Sequence, residues 1–170
     1  MHNSIPLDSE HTVSIIGIFF KILDIPGHTL GHIAYYEKTQ GWLFSGDTLF
    51  SGGCGRVLEG SYEQMHQSLI QLTSLPKATK IYCAHEYTLN NLKFALTVDP
   101  ENKDLQKYLV EVNHLRKNQQ STIPSTLSLE LKINPFLRLK NIESKKLSVE
   151  QETISNQEIF TVLRQLKNVF

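Results

Sequence analysis

Three short segments of the sequence each place a potential metal ligand on a loop that follows a run of apolar residues. The candidate ligands are His28, Asp47 and His85. Neutral imidazole and carboxylate groups suit zinc and neighbouring first-row metals, and one carboxylate can bridge two metal ions. The segments are PGHTLGH at 26–32, SGDTLF at 45–50 and CAHEYT at 83–88. In this order they predict a metal site that activates a hydroxide.

Each of these residues supports the prediction only weakly by itself. A lone histidine on a loop is more often a hydrogen-bonding or surface residue, and it ligates metal in roughly one case in ten. An aspartate after a glycine, as at Asp47, is usually a turn former. His32 is interpreted as a residue near a strand end that orients another group. The histidines without motif context are predicted to lie on the surface: His2, His11, His66 and His114.

The elements that must position these loops are mainly strands up to residue 86. Ser61 with Gln64 three residues later predicts a capped helix, whose apolar face holds Met65, Leu69 and Leu72. The glycine-rich segment 46–60 is predicted to be a loop. Runs of β-branched and aromatic residues predict strands over 11–16, 18–25, 33–36, 42–45 and 80–84.

Helical patterns dominate after residue 86. Helices are predicted over 89–98, 105–117 and 148–170, whereas 121–134 is predicted to be irregular because Pro124 interrupts it. The change of pattern divides the chain into two predicted domains, 1–86 and 87–170.

Composition excludes some classes of function. The 170 residues carry 17 basic and 17 acidic side chains, so there is no general attraction to nucleic acid or to an anionic membrane. Residues 1–86 hold 5 basic and 8 acidic side chains and 87–170 hold 12 and 9, which is a weak indication of a cation site followed by an anion site. Ordinary scatter of surface charge explains the same numbers equally well. No signal peptide or membrane span is visible.

The two cysteines predict a reducing, cytoplasmic setting. Cys54 and Cys83 form no CxxC motif, so neither a zinc ribbon nor a redox pair is indicated. Cys54 lies between two glycines and could be mistaken for a nucleophile. Since no histidine and acid partner is positioned for it, a packing role is the better interpretation.

Taken together, PGHTLGH, GDTLFSGGCGR and AHEYT resemble the second half of the metallo-β-lactamase fold in its glyoxalase II branch. The resemblance continues through TLNNLKFAL, PST, NPFLR and RQLKNVF, and it covers about 22–170. It implies an α/β (α+β) fold, in which an incomplete αββα sandwich is followed by a mainly helical C-terminal domain that binds glutathione.

The resemblance also implies a reaction and a set of metal ligands. His28 would bind a first metal, His85 a second, and Asp47 both, with zinc, iron or manganese as candidates. A hydroxide between them would hydrolyse S-(2-hydroxyacyl)glutathione, typically S-D-lactoylglutathione, to glutathione and D-lactate, as in methylglyoxal detoxification. A thiolate leaves readily, so little acid assistance is needed.

The resemblance further implies four residues that contact glutathione. Arg56 occupies a position where the family has a cation, and Tyr87 would donate its hydroxyl. Arg164 and Lys167 match the family's RxxK, and their spacing of three places them on one helix face. The alternative for this pair is an ordinary solvated helix face. Leu58 stands where relatives often have an aromatic residue near the substrate, so packing around the thioester is expected to differ.

One departure concerns the ligands that the family carries in a T-H-x-H-x-D-H stretch. No such stretch occurs here, and Met1 corresponds to a position after it. Three ligands cannot complete two zinc shells, because catalytic zinc normally has three protein ligands and a water. Three hypotheses remain: a glyoxalase II-type hydrolase acting alone or with a complementing N-terminal fragment, a non-enzymatic remnant that binds glutathione, and another hydrolase of the fold such as a lactonase or lactamase. The helical C-terminal part argues against the last.

Overall fold

The structure, a computed structural model, describes residues 11–142 and 155–170. Eight strands occur there: β1 (Thr12–Ile15), β2 (Ile18–Asp24), β3 (Ile33–Glu37), β4 (Trp42–Gly46), β5 (Leu49–Phe50), β6 (Gly53–Cys54), β7 (Lys80–Cys83) and β8 (Ser125–Thr126). The helices are α1 (Tyr62–Thr73), α2 (Thr88–Val98), α3 (Lys103–Lys117), α4 (Leu127–Ile133) and α5 (Asn156–Val169), with a 3-10 turn at Leu139–Asn141. No helix among the described residues is long and apolar enough to cross a bilayer.

Six strands form one mixed sheet in the order β1-β2-β3-β4-β7-β8. The first four strands run antiparallel, whereas β4 and β7 are parallel neighbours. Parallel strands need a crossover, and α1 lies within the connection between them. The carboxyl ends of β4 and β7 therefore meet at one edge of the sheet, where Asp47 and His85 follow.

Helix α1 begins as the sequence predicts. The Ser61 hydroxyl accepts from the backbone N–H of Gln64, and the Gln64 side chain accepts from the backbone N–H of Ser61. This reciprocal cap satisfies two donors that a helix start leaves open. Met65, Leu69 and Leu72 are fully buried against the sheet. The predicted helix and its apolar face are confirmed.

The main core joins the sheet to helices from both parts of the chain. Leu23, Leu43 and Ile81 of the sheet pack in one cluster with residues such as Phe94 of α2 and Phe160 of α5. A smaller cluster lies among α2, α3 and α4 and includes Leu92, Leu105, Val112 and Ile133. Residues on the two sides of position 86 therefore share one hydrophobic core.

The prediction of an irregular segment over 121–134 is wrong. Pro124 precedes strand β8, and α4 begins directly after that strand. The Thr126 hydroxyl caps α4 by accepting from the backbone N–H of Leu129 at 3.3 Å. Leu127 and Ile133 are fully buried, so tertiary packing stabilises a helix too short to form alone. The segment 46–60 likewise contains the hairpin of β5 and β6, which loop composition concealed.

The prediction that His66 lies on the surface is wrong, because this residue is only 6% exposed. Its ring stacks on Phe160, and its Nδ1 lies 2.7 Å from Oε1 of Gln157, so the interface of α1 and α5 satisfies it. The predicted C-terminal helix is observed as α5, and its expected start at 148–154 lies outside the described residues.

Candidate functional site

The three predicted metal ligands line one cavity of about 560 Å³ together with the four predicted glutathione-contacting residues. His28 lies in the loop between β2 and β3, Asp47 follows β4, and His85 follows β7. The structure thus brings together residues that are up to 139 positions apart in the sequence, between His28 and Lys167. These residues meet because the strands and helices that carry them pack together, and their distances along the sequence do not show this.

Asp47 and His85 are in direct contact, with Oδ1 of the former 3.2 Å from Nε2 of the latter. His28 is oriented differently, since its Nδ1 lies 2.8 Å from the backbone carbonyl oxygen of Arg56. If Nδ1 carries the proton it donates to that carbonyl, and Nε2 is left as the metal-binding atom. The backbone of one predicted substrate residue therefore fixes the ring of one predicted ligand.

His32 contacts the site without joining the donors, as its interpretation from the sequence required. Its Nε2 accepts a 3.0 Å hydrogen bond from the backbone N–H of Asp47. Its ring packs edge-on against His28, with 5.5 Å between the ring centroids. Burial lowers the pKa of His32 and the neighbouring His28 acts in the same direction, so the neutral acceptor form is favoured.

The donors fit a divalent metal in chemistry but not in number. Imidazole nitrogen and carboxylate oxygen are suitable ligands, and the contact of Asp47 with His85 places two of them together. Within residues 11–142 and 155–170, however, no three His, Cys, Asp or Glu side chains are grouped closely enough to hold a metal ion. The described residues therefore do not by themselves group enough donors to hold a metal ion.

The segment from Asp47 to Arg56 folds back on itself beside these donors. The backbone N–H of Gly55 donates to the carbonyl oxygen of Thr48 at 3.1 Å. A Cβ on Gly55 would lie 1.8 Å from the backbone oxygen of Asp47, so only glycine permits this approach. The loop's two ends are therefore held against each other.

Arg164 is buried, contrary to the alternative of a solvated helix face. Only 2% of it is exposed, and its Nη1 donates to the carbonyl oxygens of Cys54 at 2.7 Å and Gly55 at 3.4 Å. The guanidinium lies 5.4 Å from the centroid of the Phe136 ring. Arg164 thus holds the same loop that carries Arg56 into the cavity.

Lys167, one turn further along α5, is only partly buried. Its Nζ donates to the carbonyl oxygen of Asn90 at 3.3 Å and lies over the rings of Phe94 and Phe170. Burial, followed by repulsion from Arg164, lowers the pKa of Lys167 to about 8. The amine is therefore still cationic at neutral pH but close to losing its proton.

Tyr87 is 52% exposed and faces the cavity. Its ring stacks on His85, with 4.9 Å between centroids, and lies 5.5 Å from Phe50. The stacking links one predicted metal ligand to one predicted substrate residue. Leu58, the departure from the family pattern, also lines the cavity and is 66% exposed.

Several cavity residues were missed by reasoning from the sequence. Phe170 lies three residues after Lys167, so extending the helical spacing of Arg164 and Lys167 would have found it. Asn90 similarly lies three residues after Tyr87. Cys54 lines the cavity as a buried free thiol, and burial raises its pKa, which agrees with a packing role.

Known proteins resemble this chain in both fold and sequence. Residues 1–85 match the family model for the metallo-beta-lactamase superfamily, and the chain belongs to that superfamily. A solved metallo-beta-lactamase from Staphylococcus aureus superposes with a TM-score of 0.56 at 19% identity, covering 94% of this chain and 42% of that one. At this identity the likeness establishes the fold alone, and it agrees with the predicted fold class.

The second half of the chain defines the family more narrowly. Residues 86–170 match the model described as hydroxyacylglutathione hydrolase C-terminus, and the chain belongs to the hydroxyacylglutathione hydrolase family. The hydroxyacylglutathione hydrolase of Pseudomonas paraeruginosa is 48% identical over 168 residues, covering 96% of this chain and 65% of that protein. That of Legionella pneumophila is 47% identical over 167 residues, covering 97% and 65%. The chain thus spans just under two thirds of these relatives' length.

Proposed function

We propose that this chain carries the substrate-binding part and several metal ligands of a hydroxyacylglutathione hydrolase. The reaction is the hydrolysis of S-(2-hydroxyacyl)glutathione, such as S-D-lactoylglutathione, to glutathione and a 2-hydroxy acid. One observation carries the proposal: metal donors and cationic groups line the same cavity. A thioester of glutathione needs both, because its acyl carbon must be attacked and its two carboxylates must be bound.

The glutathione end of the cavity is formed by Arg56, Tyr87, Arg164 and Lys167. The exposed side chain of Arg56 and the amine of Lys167 offer charge to a carboxylate, while the half-exposed Tyr87 offers a hydroxyl. Arg164 already donates to two backbone carbonyls. Its contribution is therefore a fixed positive charge and a fixed loop, and direct contacts with glutathione fall to the other three.

The metal end is formed by His28, Asp47 and His85. A divalent cation held there supplies the polarisation of water and of the thioester carbonyl, with zinc, iron and manganese as candidates. Tyr87 and Phe50 pack against His85 and limit the positions open to its ring. The leaving thiolate needs little proton assistance, which agrees with the lack of an assigned acid beside the donors.

A second candidate function is favoured by the incomplete donor set. A chain that does not assemble three metal-binding side chains in its described parts can bind glutathione conjugates without hydrolysing them. We therefore retain, as the alternative, a remnant enzyme or one half of a split enzyme. The charged end of the cavity serves either function.

An aromatic face of the sheet supports a complementing N-terminal fragment as partner of the split form. Phe20 contacts Tyr35 and Phe44, whose ring stacks on Tyr82 at 5.1 Å between centroids. Phe44 remains 39% exposed, and it lies on the opposite face of its strand from the buried Leu43. Such a face fits a second apolar sheet. We further propose that 1–86 and 87–170 serve as metal and glutathione domains.

The setting that we propose is the cytoplasm. Cys54 and Cys83 are both free, as a reducing compartment requires. Nucleic acid and membrane are not proposed as partners, because the net charge of the chain is zero.

Metal analysis and turnover of S-lactoylglutathione by the purified chain test the two candidates. Hydrolysis that depends on added zinc supports an autonomous enzyme. Tight glutathione binding with no turnover, even in excess zinc, supports the binding-only alternative. If neither glutathione binding nor turnover is detected in the chain by itself, both the autonomous enzyme and the binding-only remnant are wrong. Hydrolysis that appears only when a fragment carrying the T-H-x-H-x-D-H stretch is added identifies a split enzyme.

A further inference from the structure

The hairpin of β5 and β6 contributes Phe50 and Cys54 to the wall of the cavity, and its turn and strand ends receive a polar side chain from each described α-helix after residue 86. Asn91 of α2 donates to the carbonyl oxygen of Ser51 at 3.1 Å. The Tyr108 hydroxyl of α3 lies 3.4 Å from the Ser51 hydroxyl. Arg164 of α5 donates to the carbonyl oxygen of Cys54. Glu130 of α4 and Asn134, the residue after it, supply the largest number of these hydrogen bonds.

Two fully buried residues, Glu130 of α4 and Asn134 directly after that helix, hold the backbone of this turn. Glu130 Oε2 accepts from the backbone N–H of Gly52 at 2.8 Å. The Asn134 amide donates to the carbonyl oxygens of Phe50 at 3.2 Å and Gly53 at 3.0 Å. The same amide donates to Glu130 Oε2 at 3.1 Å, so the two side chains also fix each other. Together they satisfy three backbone polar groups of a buried turn, the carbonyls of Phe50 and Gly53 and the N–H of Gly52.

The turn transmits this constraint to both ends of the cavity. On one side, the Phe50 ring lies 6.2 Å from the ring of His85 and 5.5 Å from that of Tyr87, measured between centroids. On the other, Gly55 is packed against Asp47, and Arg56 follows it. A displaced turn would therefore move an aromatic support of His85 and the start of the Arg56 side chain at once.

We infer that Glu130 and Asn134 are positioning residues, which hold the Phe50–Gly53 turn so that the cavity keeps the shape that binds the glutathione moiety. Neither side chain lines the cavity, so they act only through the turn. The inference rests on the proposed glutathione site. Burial raises the pKa of Glu130 by disfavouring the charged carboxylate, and a glutamine keeps an uncharged acceptor oxygen of similar size at that position.

The experiment measures amide hydrogen exchange over 49–55 and the dissociation constant of glutathione, in the full chain. In Glu130→Ala and Asn134→Ala we expect exchange in the turn to rise and glutathione binding to weaken, each by about tenfold, because buried backbone groups lose their partners. Glu130→Gln is expected to restore both, since it keeps the acceptor and the volume. Asn113→Ala is the matched control, because that amide donates only within α3, to Leu109.

The outcomes separate positioning from plain structural support. Unchanged exchange over 49–55 in both alanine variants overturns the inference, and so does a Glu130→Gln variant as impaired as Glu130→Ala. If Glu130→Ala does not fold, Asn134→Ala carries the comparison. Equal acceleration of exchange in the turn, β3 and α1 means global loss of stability and also counts against positioning. Absence of glutathione binding by the unmodified chain contradicts the proposed function, while the exchange pattern still decides whether the two residues hold the turn.

Discussion

The candidate metal donors and the cations of α5 are held in different ways. Asp47 and His85 contact each other, while Nδ1 of His28 faces a backbone carbonyl oxygen. Arg164 and Lys167, by contrast, each contact several partners. The donors depend on loops after strands, and the cations on one face of α5. Among the described residues, the cationic groups therefore already line the cavity, whereas the candidate donors form no cluster of three ligands close enough to hold a metal ion.

The difference follows from how each kind of site is built. A cationic pocket needs charge near a cavity and tolerates modest changes in geometry, because Coulomb interactions fall off gradually with distance. A metal site needs a fixed number of ligands at bonding distance. Losing part of the ligand set is therefore far more damaging than losing part of the charge.

The largest expected effect is at the metal end. Asp47→Ala should weaken zinc binding by at least about 100-fold, because it removes the donor in contact with His85 and the only carboxylate among the three. Competition with a chromogenic chelator measures the affinity. Asp104→Ala, at an exposed position on α3, is the control and should bind zinc as the unmodified chain does. Equal zinc affinity in both variants would remove Asp47 from the site.

The second prediction distinguishes the two cations of α5 by their effect on folding. Arg164→Ala should lower the free energy of unfolding by about 3 kcal/mol, because two loop carbonyls lose a buried charged donor. Lys167→Met should change it by no more than about 0.5 kcal/mol, since the apolar chain can keep its contact with Phe94 and Phe170. Urea unfolding monitored by circular dichroism decides between them. Similar losses in both variants would contradict the division into a loop-holding and a ligand-facing cation.

The third prediction concerns glutathione binding as pH rises. Because the pKa of Lys167 is lowered to about 8, its positive charge is present below that pH and lost above it. Affinity for S-methylglutathione, which has no titrating thiol, should therefore fall about fivefold between pH 7 and 9 through loss of one ion pair. Calorimetry measures it. Lys167→Arg should abolish this component because a guanidinium stays charged, so an identical pH profile in that variant would exclude Lys167 as its origin.

The smallest expected effect is on the pH dependence of stability, and it concerns the buried Glu130. Burial raises its pKa above the ordinary value of 4.5, so its contribution to stability is present below pH 4.5 and is lost as pH rises through the folded pKa. Glu130→Gln does not ionise and should flatten this part of the stability profile. Urea midpoints across pH 4 to 8 provide the measurement. A profile parallel to that of the unmodified chain would mean that Glu130 does not titrate in this range.

Much of the fold was predictable because local patterns and tertiary burial agree. The strands around Gly17 and Gly41 and the capped helix after Ser61 are found where periodicity and turn residues predict them. Helix α4 and the β5–β6 hairpin were not predicted. The seven residues of α4 are too few to show a helical pattern or to form a helix alone, and their helix depends on burial of Leu127 and Ile133. The burial of His66 depends likewise on Phe160, 94 positions away in the sequence.

Residue type and order alone were enough to identify the candidate metal ligands and the Arg164–Lys167 pair. Imidazole, carboxylate and guanidinium groups keep their chemistry in any fold. How deeply each of them is buried, and which groups it contacts, was decided only by tertiary structure. Arg164 and Lys167 occupy the same helix face and both line the cavity, yet Arg164 is buried against the carbonyls of Cys54 and Gly55 whereas Lys167 is only partly buried. Desolvation and hydrogen bonding depend on the three-dimensional neighbours of a group, and spacing along the chain does not encode them.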